Sequence, residues 1–200
     1  MRTPLEKFIT AKLGPNALII TCGLPCTCKT GISKEISKIT GYPIMSSDII
    51  RKEVLKNEDI FDQRVASSTD KRMRVYDEVF RRTEEYLKEG DGVIIDATFI
   101  IQTLRKRVAE IANKYSKTLV ILQTRCPRSI AIARILKRTK ENYESNALDE
   151  QAYINNEKQF EKVDLDDLKN SFPNLDILHL IVDTQYDESN TWYIIDVEKR

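Results

Sequence analysis

A glycine, a lysine and a hydroxyl residue occur at the spacing of a phosphate-binding loop. Gly23, Lys29 and Thr30 fit the pattern G-x-x-x-x-G-K-[ST], and Cys28 stands at the position of the second glycine. Backbone N–H groups of such a loop hold phosphates, its lysine binds the β- and γ-phosphates, and its hydroxyl binds Mg²⁺. The sequence therefore predicts a triphosphate and magnesium site made of Gly23, Leu24, Pro25, Cys26, Thr27, Cys28, Lys29 and Thr30.

The cysteines of this loop allow two other interpretations. Cys22, Cys26 and Cys28 lie within seven residues, and Cys126 is the fourth cysteine. Four thiols could hold zinc or an iron–sulfur cluster, which would make the chain a metal or redox protein. Alternatively, a thiol at a helix N-terminus beside a lysine is expected to have a lowered pKa and to react with oxidants. In that case oxidation of Cys26 or Cys28 would block phosphate binding.

Apolar runs alternate with amphipathic stretches, as in a parallel sheet with helices on both faces. The strands are predicted at 17–22, 43–46, 92–96, 118–124 and 177–183. Helices are predicted at 30–38, at 64–88, at 102–115, from Pro127 to about Lys140, at 148–160, and behind Asp48 as N-cap. Residues 164–174 are interpreted as a polar connection, and 192–197 fit either a strand or a helix.

Polar residues follow the predicted strands where they end. Asp48 comes two residues after the second strand, Asp96 closes the third, and Arg125 follows the fourth. Ligands of open α/β sheets bind outside the carboxyl ends of the strands. A phosphate loop, two carboxylates and an arginine on one rim indicate phosphoryl transfer.

Three motifs resemble those of the AAA-type P-loop kinases grouped with polynucleotide kinase and zeta toxin. Gly23-Leu-Pro-Cys-Thr-Cys-Lys-Thr is similar to GLPGSGKS, Ser47-Asp-Ile-Ile-Arg51-Lys-Glu to SDxxRKE, and Val93-Ile-Ile-Asp-Ala-Thr-Phe99 to VVLDATF. The resemblance covers nearly the whole chain and implies a three-layer P-loop NTPase fold. Its five-stranded parallel sheet would have the order 2-3-1-4-5.

Chemistry and this resemblance together suggest roles for the site residues. Asp48 is the candidate general base, and Arg51 would hold an acceptor phosphate or orient that base. Asp96 would act with Thr30 at the metal or order a water molecule on the substrate side, and Thr98 would touch the acceptor. Arg134 and Arg138 are expected to be lid arginines that close over the phosphates. The expected activity is ATP-dependent transfer of a phosphoryl group to a hydroxyl acceptor, such as a nucleic-acid 5′-hydroxyl, a small nucleotide or a sugar.

Composition sets the remaining expectations. The chain has 200 residues and a net charge of +1, so we expect one domain over 1–200 and no field that attracts nucleic acid or membranes by itself. Without an apolar leader or span, a cytoplasmic location is expected. Local basic residues could still contact a nucleic-acid backbone: Arg72, Arg74, Arg81, Arg82, Arg105, Lys106 and Arg107. A non-catalytic nucleotide-binding module with a degenerate loop is the alternative function.

Overall fold

The computed structural model describes residues 2–139 and 147–200. Within them, seven strands form one sheet in the order β1-β7-β6-β5-β2-β4-β3. Five neighbouring strands of this sheet, β6, β5, β2, β4 and β3, are parallel. In contrast, β7 is antiparallel to β6, and β1 is antiparallel to β7. The strands are β1 Thr3–Pro4, β2 Ala17–Cys22, β3 Ile44–Ser46, β4 Val93–Asp96, β5 Thr118–Arg125, β6 Ile177–Asp183 and β7 Tyr193–Lys199.

The predicted five-stranded sheet is therefore wrong in strand number and in being wholly parallel. The five parallel strands do follow the predicted order, but two antiparallel strands extend the sheet beyond β6. The stretch at 192–197, which fitted either a strand or a helix, belongs to β7. Pairing with β6 and β1 decides between these two structures, and a local pattern does not contain that information.

Helices cover both faces of the sheet. They are α1 Leu5–Lys12, α2 Lys29–Thr40, α3 Ser47–Val54, α4 Gln63–Ser67, α5 Thr69–Leu87, α6 Gln102–Lys114, α7 Arg128–Leu136, α8 Glu150–Gln159 and α9 Leu165–Ser171. One apolar cluster packs α3, α5, α6 and α9 on one face, and a second packs α1 and α2 on the other. The result is a three-layer sandwich, whose layers bury the apolar strands on both sides.

Local capping explains where the predicted helices differ from the observed ones. The helix predicted at 64–88 is broken, because Ser68 Oγ accepts the N–H of Lys71 and starts α5. The predicted connection at 164–174 contains α9, which begins where the Asp164 carboxylate accepts the N–H of Asp167. The helix after Pro127 ends at Leu136, and Lys140 lies outside the described residues. Side-chain caps of this kind satisfy N–H groups that a helix end leaves without partners.

None of the helices in the described residues has the length and apolarity needed to cross a membrane.

Candidate active site

The predicted phosphate loop connects the end of β2 to the start of α2. Gly23 N–H donates to Thr98 O at 3.0 Å, which joins the loop to the segment after β4. Gly23 has φ +144°, and a Cβ there would lie 2.6 Å from Thr124 Oγ1 and 2.8 Å from Thr124 O. Only glycine fits this close approach without a shift of the backbone of β5.

Cys26 and Cys28 both adopt the left-handed conformation that glycine normally provides, each with φ 60°. For a residue with a side chain, this conformation costs roughly 1–2 kcal/mol. The carbonyls of the loop are held from outside: Arg134 Nη1 donates to Cys26 O at 3.3 Å, and Thr184 Oγ1 donates to Thr27 O at 3.1 Å. These contacts keep the loop in a conformation that its two cysteines disfavour.

The expectation of an acidic Cys28 thiol is wrong. Burial raises the pKa of Cys28 above its ordinary value, and the nearby positive charge of Arg134 only partly opposes this. None of the four cysteines of the described chain is in a disulfide, and the described residues contain no group of three His, Cys, Asp or Glu side chains that could hold a metal ion. The cysteines therefore do not form the ligand set that a zinc or iron–sulfur site requires.

Lys29 starts α2 and points back over the loop. Its Nζ donates to Leu24 O at 2.6 Å. Burial lowers the pKa of Lys29, and the carboxylate of Asp96 opposes this by stabilising the charged ammonium. The neighbouring Thr30 lines the same cleft. The cation and the hydroxyl of the loop thus lie together at the N-terminus of α2, where phosphate groups bind readily.

Asp48 lies in the first turn of α3 and is not its N-cap, contrary to the sequence prediction. Ser46 takes that position, because its Oγ accepts the N–H of Ile49 at 3.4 Å. Asp48 Oδ1 is 3.9 Å from Arg51 Nε. Burial raises the pKa of Asp48 to about 6, with a smaller upward effect of Asp96 and opposing effects of Arg51 and Lys29. A carboxylate with this pKa can take up a proton near neutral pH.

The segment after β4 is fixed by contacts from β2 and α5. Thr21 Oγ1 lies 3.3 Å from Asp96 Oδ1 and accepts the N–H of Ala97. Tyr76 OH accepts the N–H of Phe99 and lies 3.4 Å from Thr98 Oγ1. Asp96 and Thr98 are therefore held at the edge of the sheet, next to the phosphate loop.

Arg105 of α6 is fully buried and fixes the same segment through hydrogen bonds to its backbone. Its guanidinium donates to Phe99 O at 2.9 Å and to Ile100 O at 3.1 Å, and also to two carbonyls of the segment before α9. The sequence prediction of a nucleic-acid contact at Arg105 is wrong. One sequence signal indicates that Arg105 is buried: it shares one face of α6 with Ala109 and Ala112, at spacings of four and three.

The two expected lid arginines lie at the end of α7 and just after it. Besides the loop carbonyl, Arg134 contacts Asp187 Oδ1 at 2.7 Å and Thr184 O at 2.9 Å. It thus connects the phosphate loop to the chain that follows β6. Arg138 lines the cleft. Closure of these arginines over phosphates stays a prediction.

One cleft of about 610 Å³ in the described part of the chain gathers most of the predicted site residues. Gly23 and Leu24 are the two loop residues that do not line this cleft. Lining residues that the sequence analysis did not place at the site come from α5, from α8 and from the chain between β6 and β7: Tyr76, Asn155, Asn156, Gln159, Asp187 and Trp192. Arg72, one of the candidates for a nucleic-acid backbone contact, also lines this cleft.

Five parallel strands with a phosphate loop after the central one, β2, define the P-loop NTPase fold. The chain belongs to the AAA domain family AAA_33, which matches residues 18–162.

Three solved structures share the fold at low sequence identity. A gluconokinase from Sinorhizobium meliloti 1021 is 16% identical over 86% of this chain and 84% of its own, with a TM-score of 0.56. A sugar kinase from Janibacter sp. HTCC2649 is 15% identical over 85% and 86%, with a TM-score of 0.60. Chaetomium thermophilum Kti12 in complex with ADP-AlF3 is 20% identical over 74% and 81%, with a TM-score of 0.55. These similarities show the fold alone, so the kinase activity and the polynucleotide kinase and zeta toxin group stay proposals.

Proposed function

We propose that this protein is an ATP-dependent kinase that transfers the γ-phosphoryl group to a hydroxyl group of an acceptor. The observation that carries the proposal is the position of Asp48, which lines the same cleft as the phosphate loop and has a pKa of about 6. A base next to a triphosphate site is what hydroxyl phosphorylation needs and what nucleotide binding alone does not need. The names of the gluconokinase and the sugar kinase support this class of reaction.

The loop side of the cleft fits ATP. Residues Pro25 to Thr30 of the loop line the cleft, and Lys29 among them supplies a half-buried cation. Thr30 and Asp96 both line the cleft and offer oxygen atoms, the donor type that magnesium prefers. When bound, magnesium would neutralise phosphate charge and orient the phosphates. Lys29 would exchange its contact with Leu24 O for phosphate oxygens.

Asp48 acts on the acceptor hydroxyl. Its carboxylate accepts the hydroxyl proton while the acceptor oxygen forms a bond to the γ-phosphorus. The bond between that phosphorus and the oxygen bridging to the β-phosphate breaks, and ADP leaves with the electron pair. Arg51 orients the carboxylate from one helical turn away, and Thr98 offers a hydroxyl to the acceptor. Arg134 and Arg138 are proposed to stabilise negative charge on the transferred group.

The main alternative is a nucleotide-binding module without catalysis. It is favoured by the side chains of Cys26 and Cys28, which occupy left-handed positions of the cradle where the resembled motif has glycines. This alternative predicts nucleotide affinity without phosphoryl transfer. The two functions therefore differ in one measurement, the labelling of an acceptor.

The test is incubation with Mg·[γ-³²P]ATP and a panel of hydroxyl compounds: 5′-hydroxyl oligonucleotides, nucleosides, nucleotides, sugars and sugar acids. Asp48→Asn is expected to lower the rate of labelling by roughly 10²–10⁴-fold while nucleotide affinity persists. Lys29→Ala is expected to weaken nucleotide binding itself. Asp91→Asn makes the same chemical change at an exposed turn outside the cleft and should label like the native chain.

Two results would contradict the proposal. The native protein would bind the nucleotide and label no acceptor of the panel, as the binding-module alternative predicts. Otherwise Asp48→Asn would label as fast as the native protein, which would remove Asp48 from the mechanism.

A further inference from the structure

Phe99 lies three residues after the end of β4 and has a backbone conformation that its side chain disfavours. Its φ is 42°, in the left-handed region where a bulky side chain is a rare outlier. Such a conformation persists only where the surrounding structure enforces it, and outliers of this kind concentrate at functional sites. The contacts around Phe99 therefore indicate what the segment after β4, residues 97–101, is held in place for.

Tyr76 of α5 and Arg105 of α6 hold Phe99 in this conformation. Phe99 N–H donates to Tyr76 OH at 3.2 Å, and Arg105 Nε donates to Phe99 O at 2.9 Å. The Phe99 ring is fully buried and meets the Tyr76 ring edge-on, with 5.4 Å between the ring centroids. Phe80 completes this aromatic cluster, with its ring centroid 5.8 Å from that of Tyr76. Tyr76 thus contacts both the backbone and the side chain of Phe99.

One peptide group connects Tyr76 to the phosphate loop. The peptide between Thr98 and Phe99 carries Thr98 O and Phe99 N–H, which point in opposite directions because the group is planar and trans. Its N–H donates to Tyr76 OH, and its oxygen accepts the N–H of Gly23 at 3.0 Å. A rotation of this peptide plane would weaken both hydrogen bonds. The Tyr76 hydroxyl therefore fixes the carbonyl oxygen that holds Gly23 at the start of the loop.

The same hydroxyl faces the side chain of Thr98. Tyr76 OH lies 3.4 Å from Thr98 Oγ1, and both residues line the cleft. Burial raises the pKa of Tyr76, so its hydroxyl stays protonated and can donate to Thr98 Oγ1 while it accepts the N–H of Phe99. Tyr76 thus orients the one side chain of this segment that is expected to touch the acceptor.

We propose that Tyr76 is a positioning residue for phosphoryl transfer, which acts on both reactants through the peptide between Thr98 and Phe99. On the nucleotide side it holds Gly23 at the start of the phosphate loop, and on the acceptor side it orients the hydroxyl of Thr98. The proposal rests on the kinase function above and deepens it. Tyr76 moves no proton in this role, because its hydroxyl and the strained backbone of Phe99 set the geometry in which the reactants meet.

Tyr76→Phe tests the proposal, because it removes one oxygen atom and keeps the ring in the aromatic cluster. Tyr86→Phe is the matched control. It makes the same change on the same helix, at a residue that is 38% exposed and lies outside the cleft.

Amide hydrogen exchange, followed by NMR in the unliganded protein, tests the contact with the loop without any substrate. The reference is the Ile19 amide in the middle of β2. In Tyr76→Phe the exchange rate of Gly23 relative to Ile19 is expected to rise roughly tenfold, because the oxygen that accepts the Gly23 hydrogen bond is less well fixed. A general loss of stability would speed up both amides and leave this ratio unchanged.

The labelling assay with Mg·[γ-³²P]ATP tests the effect on the reaction. Tyr76→Phe is expected to lower kcat roughly tenfold because both reactants are misplaced, whereas Tyr86→Phe should label like the native chain. A native chain that labels no acceptor contradicts the kinase function and the role in transfer with it. An unchanged exchange ratio contradicts only the role of Tyr76.

Three results would overturn the proposal. The exchange ratio of Gly23 to Ile19 would be the same in Tyr76→Phe and in the native chain. The kcat values of Tyr76→Phe and Tyr86→Phe would be equal. Finally, Tyr76→Phe would fail to fold while Tyr86→Phe folds, which would assign the Tyr76 hydroxyl to stability alone.

Discussion

Replacing Asp48 with asparagine is expected to stabilise the protein while it slows phosphoryl transfer roughly 10²–10⁴-fold. Burial raises the pKa of Asp48 from 3.8 to about 6, so at neutral pH the folded state holds a charge that the unfolded state solvates better. The difference between these two pKa values corresponds to about 3 kcal/mol of stability lost by the native chain above pH 6. Asparagine resembles the protonated carboxyl in size and charge, so the variant does not lose this stability.

The sign of the effect fixes its pH dependence. Below pH 4, Asp48 is protonated in both the folded and the unfolded state, and the variant and the native chain should have similar stability. Between pH 4 and 6 only the unfolded state releases the proton, so the native chain loses stability as the pH rises. The advantage of Asp48→Asn should therefore grow across this window and stay near 3 kcal/mol from about pH 7 upward.

Urea unfolding of both proteins at pH values from 4 to 8 measures this advantage directly. Asp91→Asn, at an exposed turn, should show a small difference that does not vary with pH. The phosphoryl-transfer rate of the native chain should fall about tenfold per pH value below 6, as the base becomes protonated. A pH-independent stability difference, or a variant less stable than the native chain at pH 7, would refute the assigned burial of the charge.

Three further substitutions test the supports of the site. Arg105→Met should destabilise the fold by about 3–5 kcal/mol in urea unfolding, because buried carbonyls lose their donors. The control Arg107→Met, at a surface ion pair, should cost less than about 1 kcal/mol. Equal costs for the two variants would contradict the structural role of Arg105. Gly23→Ala should lose nucleotide affinity in calorimetry or fail to fold, because its Cβ would meet Thr124; unchanged affinity and stability would contradict this close approach. Cys28→Gly should raise stability by about 0.5–1 kcal/mol through relief of the left-handed conformation and should not weaken nucleotide binding; a loss of stability would show that no such strain exists.

The sequence predicts the parts of the site that follow strand ends. The loop from Gly23 to Thr30 and the carboxylates of Asp48 and Asp96 follow short segments with their own apolar pattern. The order of the five parallel strands, in contrast, is implied only by the family resemblance. Strand ends of a parallel sheet meet at one edge, so local patterns are enough to bring these residues together. The structure shows where they lie, while their catalytic roles stay predictions.

The other half of the cleft depends on contacts between distant segments. Arg72 meets Gln159 across 87 positions, and the Tyr76 hydroxyl meets Phe99 across 23. Such pairs are set by the packing of α5 and α8 against the sheet, which a helical pattern alone does not specify. The predicted nucleic-acid contact of Arg105 is wrong for a similar reason. A cation on a helix is usually solvated, and only the carbonyl partners of Arg105 from a distant segment identify it as buried.

The site concentrates features that oppose folding. Cys26 and Cys28 each add roughly 1–2 kcal/mol of backbone strain, and the ionised Asp48 adds about 3 kcal/mol. Together these are comparable with the whole stability of a typical domain, about 5–15 kcal/mol, so the two apolar clusters that flank the sheet must offset them. A partly buried base is retained where the chemistry needs it, because a fully solvated aspartate would be too weak a base near neutral pH. Phosphoryl transfer gives no chemical reason to retain the strained cysteines. Cys28→Gly should therefore gain stability and keep its activity, whereas Asp48→Asn should gain stability and lose activity.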